Sequence, residues 1–407
     1  MPNKSAAAKI RSPLPPLPQT ERPRTIAMLA PCPFPTRQGT QVLIRQLAEG
    51  LSRRGHDVHL ITYGYGEYEA TFPFTVHRTA RIDAGLRSGP SLMRPAADAA
   101  LMMLAGKVIR TYRCEILHVH NVEGLGLGAL LKLQTGLPLV YHAHNAMGPE
   151  LPTYFKAHMA QAFAALIGDV VDRTLPRVAD GVIAFDSDHK SLHEMYGINE
   201  NRIHVIPPGL DPGELQNAEP KQLAELRLRL GPGPWLLYAG NPDNYQNLPL
   251  LWRAFARVRR QRPDVKLLIA TNYDPRAFDA SLREGPGREH IFIERFDTIE
   301  KLRALYALCD IGVCPRSLWS GAPIKLLNYL ATGLPAVACR GSARHILTPG
   351  SGRLVDETPE AFAHGLLELL ENPPERQTVQ RAFARFHIDA HIPLYEEVYT
   401  RIGRPLP

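Results

Sequence analysis

Short apolar runs alternate with amphipathic stretches along this chain, in the order of an α/β protein. Arg24–Ala30 is almost wholly apolar, as a strand covered on both faces requires. From Thr40, Val42, Leu43, Leu47 and Leu51 recur at helical spacing. That helix closes on Arg53-Arg54-Gly55-His56, basic side chains and a glycine suited to a C-terminus. Asp57–Thr62 is the next predicted strand. Glu115–His120, Leu137–Ala143 and Ala179–Phe185 follow as strands, with helices over Ala97–Arg113 and Phe155–Leu175. The second of these carries Phe163, Ile167, Val170 and Val171 at helical spacing. Pro207–Pro220 holds four prolines and reads as a linker. The pattern then restarts, with strands predicted at Trp235–Ala239, Val265–Thr271, His290–Glu294, Ile311–Pro315 and Ala336–Cys339. Helices close the chain, the last around Leu394–Ile402. Strands alternating with helices in two series predict two parallel sheets.

One stretch of the second series carries candidate chemistry. Between the strands at Ile311–Pro315 and Ala336–Cys339 lies a helix for which Pro323 suits the first position and Gly333 the stop. Ile324, Leu326, Leu327, Leu330 and Ala331 form its buried side, and Lys325, Asn328, Tyr329 and Thr332 a polar stripe. Such a stripe lies at the carboxyl end of a parallel strand, where open α/β sheets bind ligands. The helix N-terminus and Lys325 together suit an anion with hydroxyls nearby. An ordinary strand–helix–strand unit with a solvated lysine fits the same residues.

The stretch resembles the nucleotide-sugar site of GT-B glycosyltransferases, in particular the retaining family 4. From Pro323 to Pro335 it matches the variant Pro-x-Lys-Leu-x-x-Tyr-x-Ala-x-Gly-x-Pro. Ser320 and Asn328 stand where that family usually has two glutamates. The opening strand, glycine loop, helix and Gly-His are similar too, with Gly39 at the loop. Ala179-Asp180-Gly181-Val182-Ile183-Ala184 and the run Arg202–Asp211 continue the likeness, as does Gly350–Val355. The resemblance implies a GT-B fold: two Rossmann-like domains around a cleft, with a C-terminal helix crossing back. The expected division is a tail at 1–23, an acceptor domain at 24–210, a nucleotide-sugar domain at 211–385 and the returning helix at 386–407.

The implied reaction moves a sugar from a nucleoside-diphosphate-sugar to a hydroxyl of a glycan, lipid-linked or small-molecule acceptor, with retention. His144 matches the histidine that the family turns toward the reacting sugar, and with Lys325 it is the implied catalytic pair. Gly39, Gly240, Asn241, Gln246, Arg316, Ser320, Gly321, Ala322, Pro323 and Asn328 are the implied donor-binding residues. Glu123 and Asn145 are placed on the acceptor side. Asn241 and Gln246 occupy or adjoin positions where the family has an arginine and a lysine on the diphosphate, so both cations are missing. Arg316, Arg295 and Arg344 are candidates to replace them. A non-catalytic GT-B subunit, or a nucleotide-sugar epimerase, shares these features.

Other signals narrow the partners. The chain has 407 residues, enough for two cores, and a formal net charge of +7. That charge suits a phosphate-bearing substrate or an anionic membrane surface, whereas no aromatic-interleaved basic stripe points to nucleic acid. A peripheral membrane contact is expected where Arg94, Lys107, Arg110 and Arg113 border Leu101, Met102, Met103 and Leu104. The N-terminal segment, interrupted by prolines, reads as a disordered tail with no signal-peptide core. Five cysteines without framework spacing fit a reduced, cytoplasmic setting. His118, His120, His142 and His144 invite a metal, but no acidic residue lies at ligand spacing and the resemblance needs none. No metal or other cofactor is expected. Asp186-Ser187-Asp188 after an apolar strand is the rival, since metal-dependent GT-A transferases use such a pair; helix-capping acids fit it as well. Gly124-Leu125-Gly126-Leu127-Gly128-Ala129 is a weak dinucleotide fingerprint, better read as a glycine-rich helix entry.

Overall fold

The computed structural model describes residues 19–36, 38–66, 70–81, 93–278, 282, 288–317 and 321–403. The predicted N-terminal tail therefore lies almost wholly outside the described residues, and Ser320 does too.

Two sheets form. The first contains β1 (Thr25–Pro33), β2 (Asp57–Tyr63), β3 (Thr75–Arg78), β4 (Ile116–His120), β5 (Leu139–His142), β6 (Gly181–Ala184) and β7 (Ile203–Val205), in the order β3-β2-β1-β4-β5-β6-β7. The second contains β8 (Trp235–Ala239), β9 (Lys266–Thr271), β10 (Ile291–Arg295), β11 (Ile311–Cys314), β12 (Ala336–Cys339) and β13 (Gly352–Val355), in the order β10-β9-β8-β11-β12-β13. The strands pair in parallel throughout, with helices on the faces. This is the GT-B arrangement of two Rossmann-like sheets. β1, β4, β5, β8, β9, β11 and β12 are buried almost end to end, which is why each reads as an unbroken apolar run. β3 and β7 escaped the sequence reading because they are short edge strands, half exposed and without an apolar run.

Strand order reverses between β1 and β4 in the first sheet and between β8 and β11 in the second. At each reversal the chains leaving the carboxyl ends part to opposite faces and leave a crevice. The last helix, Ile388–Ile402, returns to the first sheet. Its buried Ile388, Ile392, Tyr395, Val398 and Tyr399 share a core with Ile44, Leu47, Ala48 and Leu51 of the helix Gly39–Arg53. Arg53 pairs with Asp389, Arg54 with Glu396 at 2.7 Å, and His56 Nε2 lies 3.1 Å from Glu396. This helix starts earlier than predicted because Pro393 is exposed and accommodated inside it, where the sequence rule stops a helix.

Three expectations change. Phe163, Ile167 and Val170 are exposed, in a row with Met159 and Leu166 along the helix His158–Thr174, so the apolar side of that helix faces outward. In the basic segment at Arg94–Tyr112, Leu101 is buried and belongs to the core, while Met103 is exposed. No helix among the described residues is long and apolar enough to cross a membrane.

Tyr329 is the third correction. Its ring is fully buried rather than on a polar stripe. The hydroxyl accepts from Ala239 N–H at 3.0 Å and lies 3.0 and 3.3 Å from the carbonyls of Leu237 and Val313, to one of which it donates. It thus ties the helix Ile324–Thr332 to β8 and β11 at the reversal of strand order. Gly312 makes the room: a Cβ there would stand 2.5 Å from the Tyr329 ring. Tyr329→Phe leaves buried backbone groups unpaired and is expected to cost ~1–3 kcal/mol, read as a lower urea midpoint with unchanged slope.

Candidate active site

A cleft of about 560 Å³ opens where the two crevices face each other. Segments that follow β1, β4, β8 and β11 line it, as do Gly39 and Ile324 at the starts of two helices. These are Gly39–Arg53 and Ile324–Thr332, of 15 and nine residues. A Cβ on Gly39 would lie 3.2 Å from Ile324 Cγ1, so the two N-termini are close, and Ile324 makes this contact while packing on the edge of the second core. The unpaired N–H groups of both therefore border one space, which favours an anion. Pro323 is the N-cap, one place before the predicted first position, and Gly333 closes the helix in the left-handed conformation.

Lys325 stands at the second position of its helix. Its Nζ donates to Gln246 Oε1 at 2.7 Å and lies 4.0 Å from the centre of the Tyr238 ring. Gly240 provides the space: φ is +154°, and a Cβ there would meet Lys325 Nζ at 3.0 Å. Burial lowers the Lys325 pKa to about 8; a nearby Cys314 opposes the shift and Arg316 adds to it. Arg316 is buried, with its guanidinium carbon 5.2 Å from the centre of the Tyr245 ring. Asn241 turns its amide to Asp243 at 2.7 Å and accepts from the Tyr238 hydroxyl through its carbonyl at 2.6 Å. Asn328 and Tyr306 line the cleft together. Ala322 and Pro323 line it as well.

The other wall comes from the first sheet. Glu123 and Asn145 line it, with Asp98, Asn121, Met147, Glu150 and Tyr154. Arg94 Nη1 lies 3.7 Å from Glu123. The Tyr63 hydroxyl donates to Asp98 at 2.6 Å, and the Tyr154 hydroxyl to Glu150 at 2.6 Å. Burial pushes the Glu150 carboxyl above the usual range, against the pull of that hydrogen bond and of Arg316. The walls touch where Gln38 donates to the Tyr273 hydroxyl at 2.9 Å and where Gly321, at φ +143°, lies against the His144 carbonyl and the Asn145 side chain.

His144 is placed differently from its expectation. Its ring is buried and is not among the side chains lining the cleft; its backbone carbonyl is the part that meets Gly321. The reason is strand register. His120 pairs with His142 across β4 and β5, so His118, His120, His142 and His144 stack on one face of the sheet, beneath the returning helix. His120 Nδ1 lies 2.9 Å from His144 Nε2, and His118 Nδ1 lies 2.7 Å from the Tyr399 hydroxyl. Burial lowers His118 and His144 to about 3, so these rings are neutral near pH 7. His118, His120 and His142 each bring a nitrogen within 4.8 Å of the others and are one group that could hold a cation.

Asp186, Asp188 and His345 are a second such group, with one oxygen of each carboxylate engaged. Asp186 accepts from His189 N–H at 2.8 Å as the cap of its helix. Asp188 accepts from Arg344 Nε at 2.7 Å and pairs with His345, joining the two halves of the chain away from the cleft. In the ligand-free protein Asp186 is thus a helix cap, as the capping alternative expected, Asp188 is in an ion pair, and Arg344 is committed to it. Arg295 is exposed and does not line the cleft. Gly124 and Gly128 lie inside the helix Asn121–Thr135, where a Cβ on Gly128 would stand 2.7 Å from Val119, so they serve helix–strand packing. Sequence reading missed Asp98, Glu150, Tyr154, Tyr245, Tyr273 and Tyr306. Apart from Glu150 and Tyr154, which share one short helical segment, they come from different parts of the chain, and no spacing announces them.

Residues 37–214 match the model described as "Glycosyltransferase Family 4", and residues 233–372 the one described as "Glycosyl transferases group 1". A D-inositol 3-phosphate glycosyltransferase of Segniliparus rotundus is 24% identical over 84% of this chain and 79% of its own length. An MMP alpha-(1->4)-mannosyltransferase of Mycolicibacterium hassiacum is 22% identical over 75% of this chain and 78% of its own. Among solved structures, sucrose-phosphate synthase of Thermosynechococcus elongatus superposes with a TM-score of 0.77 at 18% identity, over 93% of this chain and 99% of the other. Anabaena HepE in complex with UDP and glucose does so with a TM-score of 0.71 at 17% identity, over 93% and 100%.

The lowered Lys325 pKa has a thermodynamic sign. Between about pH 8 and the ordinary value of 10.5 the unfolded chain holds a proton here that the folded chain does not. Stability contributed by this residue therefore rises with pH across that window, and the cost of the buried charge is complete below it. Lys325→Met should raise the melting temperature of the ligand-free protein at pH 7, with the gain shrinking toward pH 10.5. Thermal melts of both proteins across that range check it; a gain that does not vary with pH would exclude a desolvated charge as the cause.

Proposed function

We propose that this chain, a glycosyltransferase of the GT-B fold, transfers a sugar from a nucleoside-diphosphate-sugar to an acceptor hydroxyl with retention. The observation that carries the reading is the Lys325 ammonium held beside the bare backbone of Gly240, at a helix N-terminus inside the cleft. Breaking the glycosidic bond leaves negative charge on a diphosphate, and fixed cations and N–H dipoles stabilise it without reorganising. Lys325, Arg316 and the two helix N-termini supply that field. Gln246 replaces a second lysine by an acceptor that orients the first. Asn241 is committed to Asp243, so it does not restore the absent arginine. Asn328 and Tyr306 offer hydrogen bonds where a ribose would lie. Ligands named for HepE, UDP and UDP-glucose, are of the class this grip suits.

In this reading the first sheet presents the acceptor, at Glu123, Asn145 and their neighbours. His144 acts through its backbone carbonyl and its packing, since its ring is turned into the sheet. In this reading no metal takes part in the reaction, its role on the diphosphate being taken by Lys325, Arg316 and the helix N-termini.

Lys325→Ala should lower turnover by ~10²–10³ while the protein stays folded. Release of nucleoside diphosphate in the presence of acceptor measures it, and an unchanged rate would remove Lys325 from the mechanism. The same assay in excess EDTA should keep its rate; loss that manganese restores would return the reaction to a metal-dependent class.

A further inference from the structure

The two walls of the cleft carry opposite charge. The wall from the second sheet brings Lys325 and Arg316. The wall from the first sheet brings Asp98, Glu123 and Glu150. Among the described residues lining that wall, Arg94 is the one cation, and Glu123 lies 3.7 Å from its Nη1. Its Nε is sealed from solvent and has no hydrogen-bond partner among the described residues. Asp243, bonded to Asn241 after β8, belongs to the second-sheet side, where its charge bears on Lys325 as well as on Glu150. Asp98 and Glu150 are each held by a tyrosine hydroxyl at 2.6 Å, which fixes one oxygen and leaves acceptor capacity on the carboxylate.

We infer that the acceptor entering this wall is a neutral polyhydroxyl, a sugar or polyol with no phosphate near its reacting hydroxyl. The inference rests on the transferase reading above and concerns the chemistry of its second substrate. Carboxylates and the amides of Asn121 and Asn145 accept from, or donate to, hydroxyls in any rotamer. Tyr154 and Met147 give an apolar surface for the C–H face of a ring. A phosphate here would meet three carboxylates in a partly desolvated space, where like charges repel more strongly than in water. Arg94 already lies against Glu123, and Arg316, which pulls on Glu150 from the other wall, is stacked on Tyr245. The division also orients the substrates, because the diphosphate end of the donor is repelled from this wall and drawn to the other.

Calorimetry on the protein saturated with UDP tests this, using neutral hexoses and disaccharides and their matching 6-phosphates. The neutral member of a pair should bind, and its phosphate should bind at least ~10-fold more weakly. Glu123→Gln keeps the size of the side chain and releases Arg94, so it should narrow that gap by ~3-fold or more, and Asp98→Asn should narrow it as well. A 6-phosphate that binds wild type more tightly than its neutral partner, with the advantage lost in Arg94→Ala, overturns the inference. So does a protein that binds UDP but no neutral sugar of the panel. Failure to bind UDP or any other nucleoside diphosphate would instead fall on the transferase reading, which the same titration records first.

Discussion

Two parallel sheets, each reversing its strand order once, leave two crevices, and the cleft exists because these crevices are held face to face. The returning helix Ile388–Ile402 supplies much of that hold. It starts beside the second half of the chain and buries five side chains against the first. Its ion pairs to Arg53, Arg54 and His56 all reach the end of the helix whose beginning, Gly39, borders the cleft. A rigid helix links the two: what grips its C-terminus also aims its N-terminus. Glu214, in the linker, pairs with Arg45 of the same helix and reinforces that aim.

Within the cleft, charge placement follows from what can be desolvated. Lys325 keeps a cation in a crowded pocket because a ring face, an amide oxygen and a glycine without a side chain surround it. Arg316 is buried against Tyr245 in the same way. Each is thereby fixed in place, as the proposed stabilisation of a leaving group would need. The departures from the commoner motif make sense locally. Gln246 and Asn241 are neutral, and they orient or occupy neighbouring groups, where two more cations would have crowded Lys325.

The histidines show how the same residue types serve packing. Four stacked imidazoles fill a face of the first sheet, neutral by burial, with Tyr399 as a hydrogen-bond partner at the end of the row. Their proximity is a consequence of alternation along two neighbouring parallel strands in register. It brings the returning helix and the sheet together and places the His144 carbonyl, rather than its ring, at the cleft.

The sequence by itself determined the class of fold and several of the strand–helix turns that line the cleft. Buried parallel strands must be apolar on both faces, so most appear as continuous runs, and the helix from Ile324 is bounded by a proline and a glycine whose backbone preferences are local. Gly39, Gly240, Lys325 and Asn328 were legible for the same reason, as features of single strand–helix turns. Tertiary structure alone decided the rest. Tyr329 shares the helix with Lys325 and Asn328, but whether it faces solvent or the sheet depended on a hole left by Gly312, seventeen residues away in sequence. His144 could face the cleft or the sheet, and the register of β4 against β5 chose. Asp188 could hold a metal or a cation of the other half, and Arg344 arrived. The acid wall, made by Asp98, Glu123 and Glu150, has no sequence signature, because its members are neighbours only after three separate segments have been brought to one edge of the sheet.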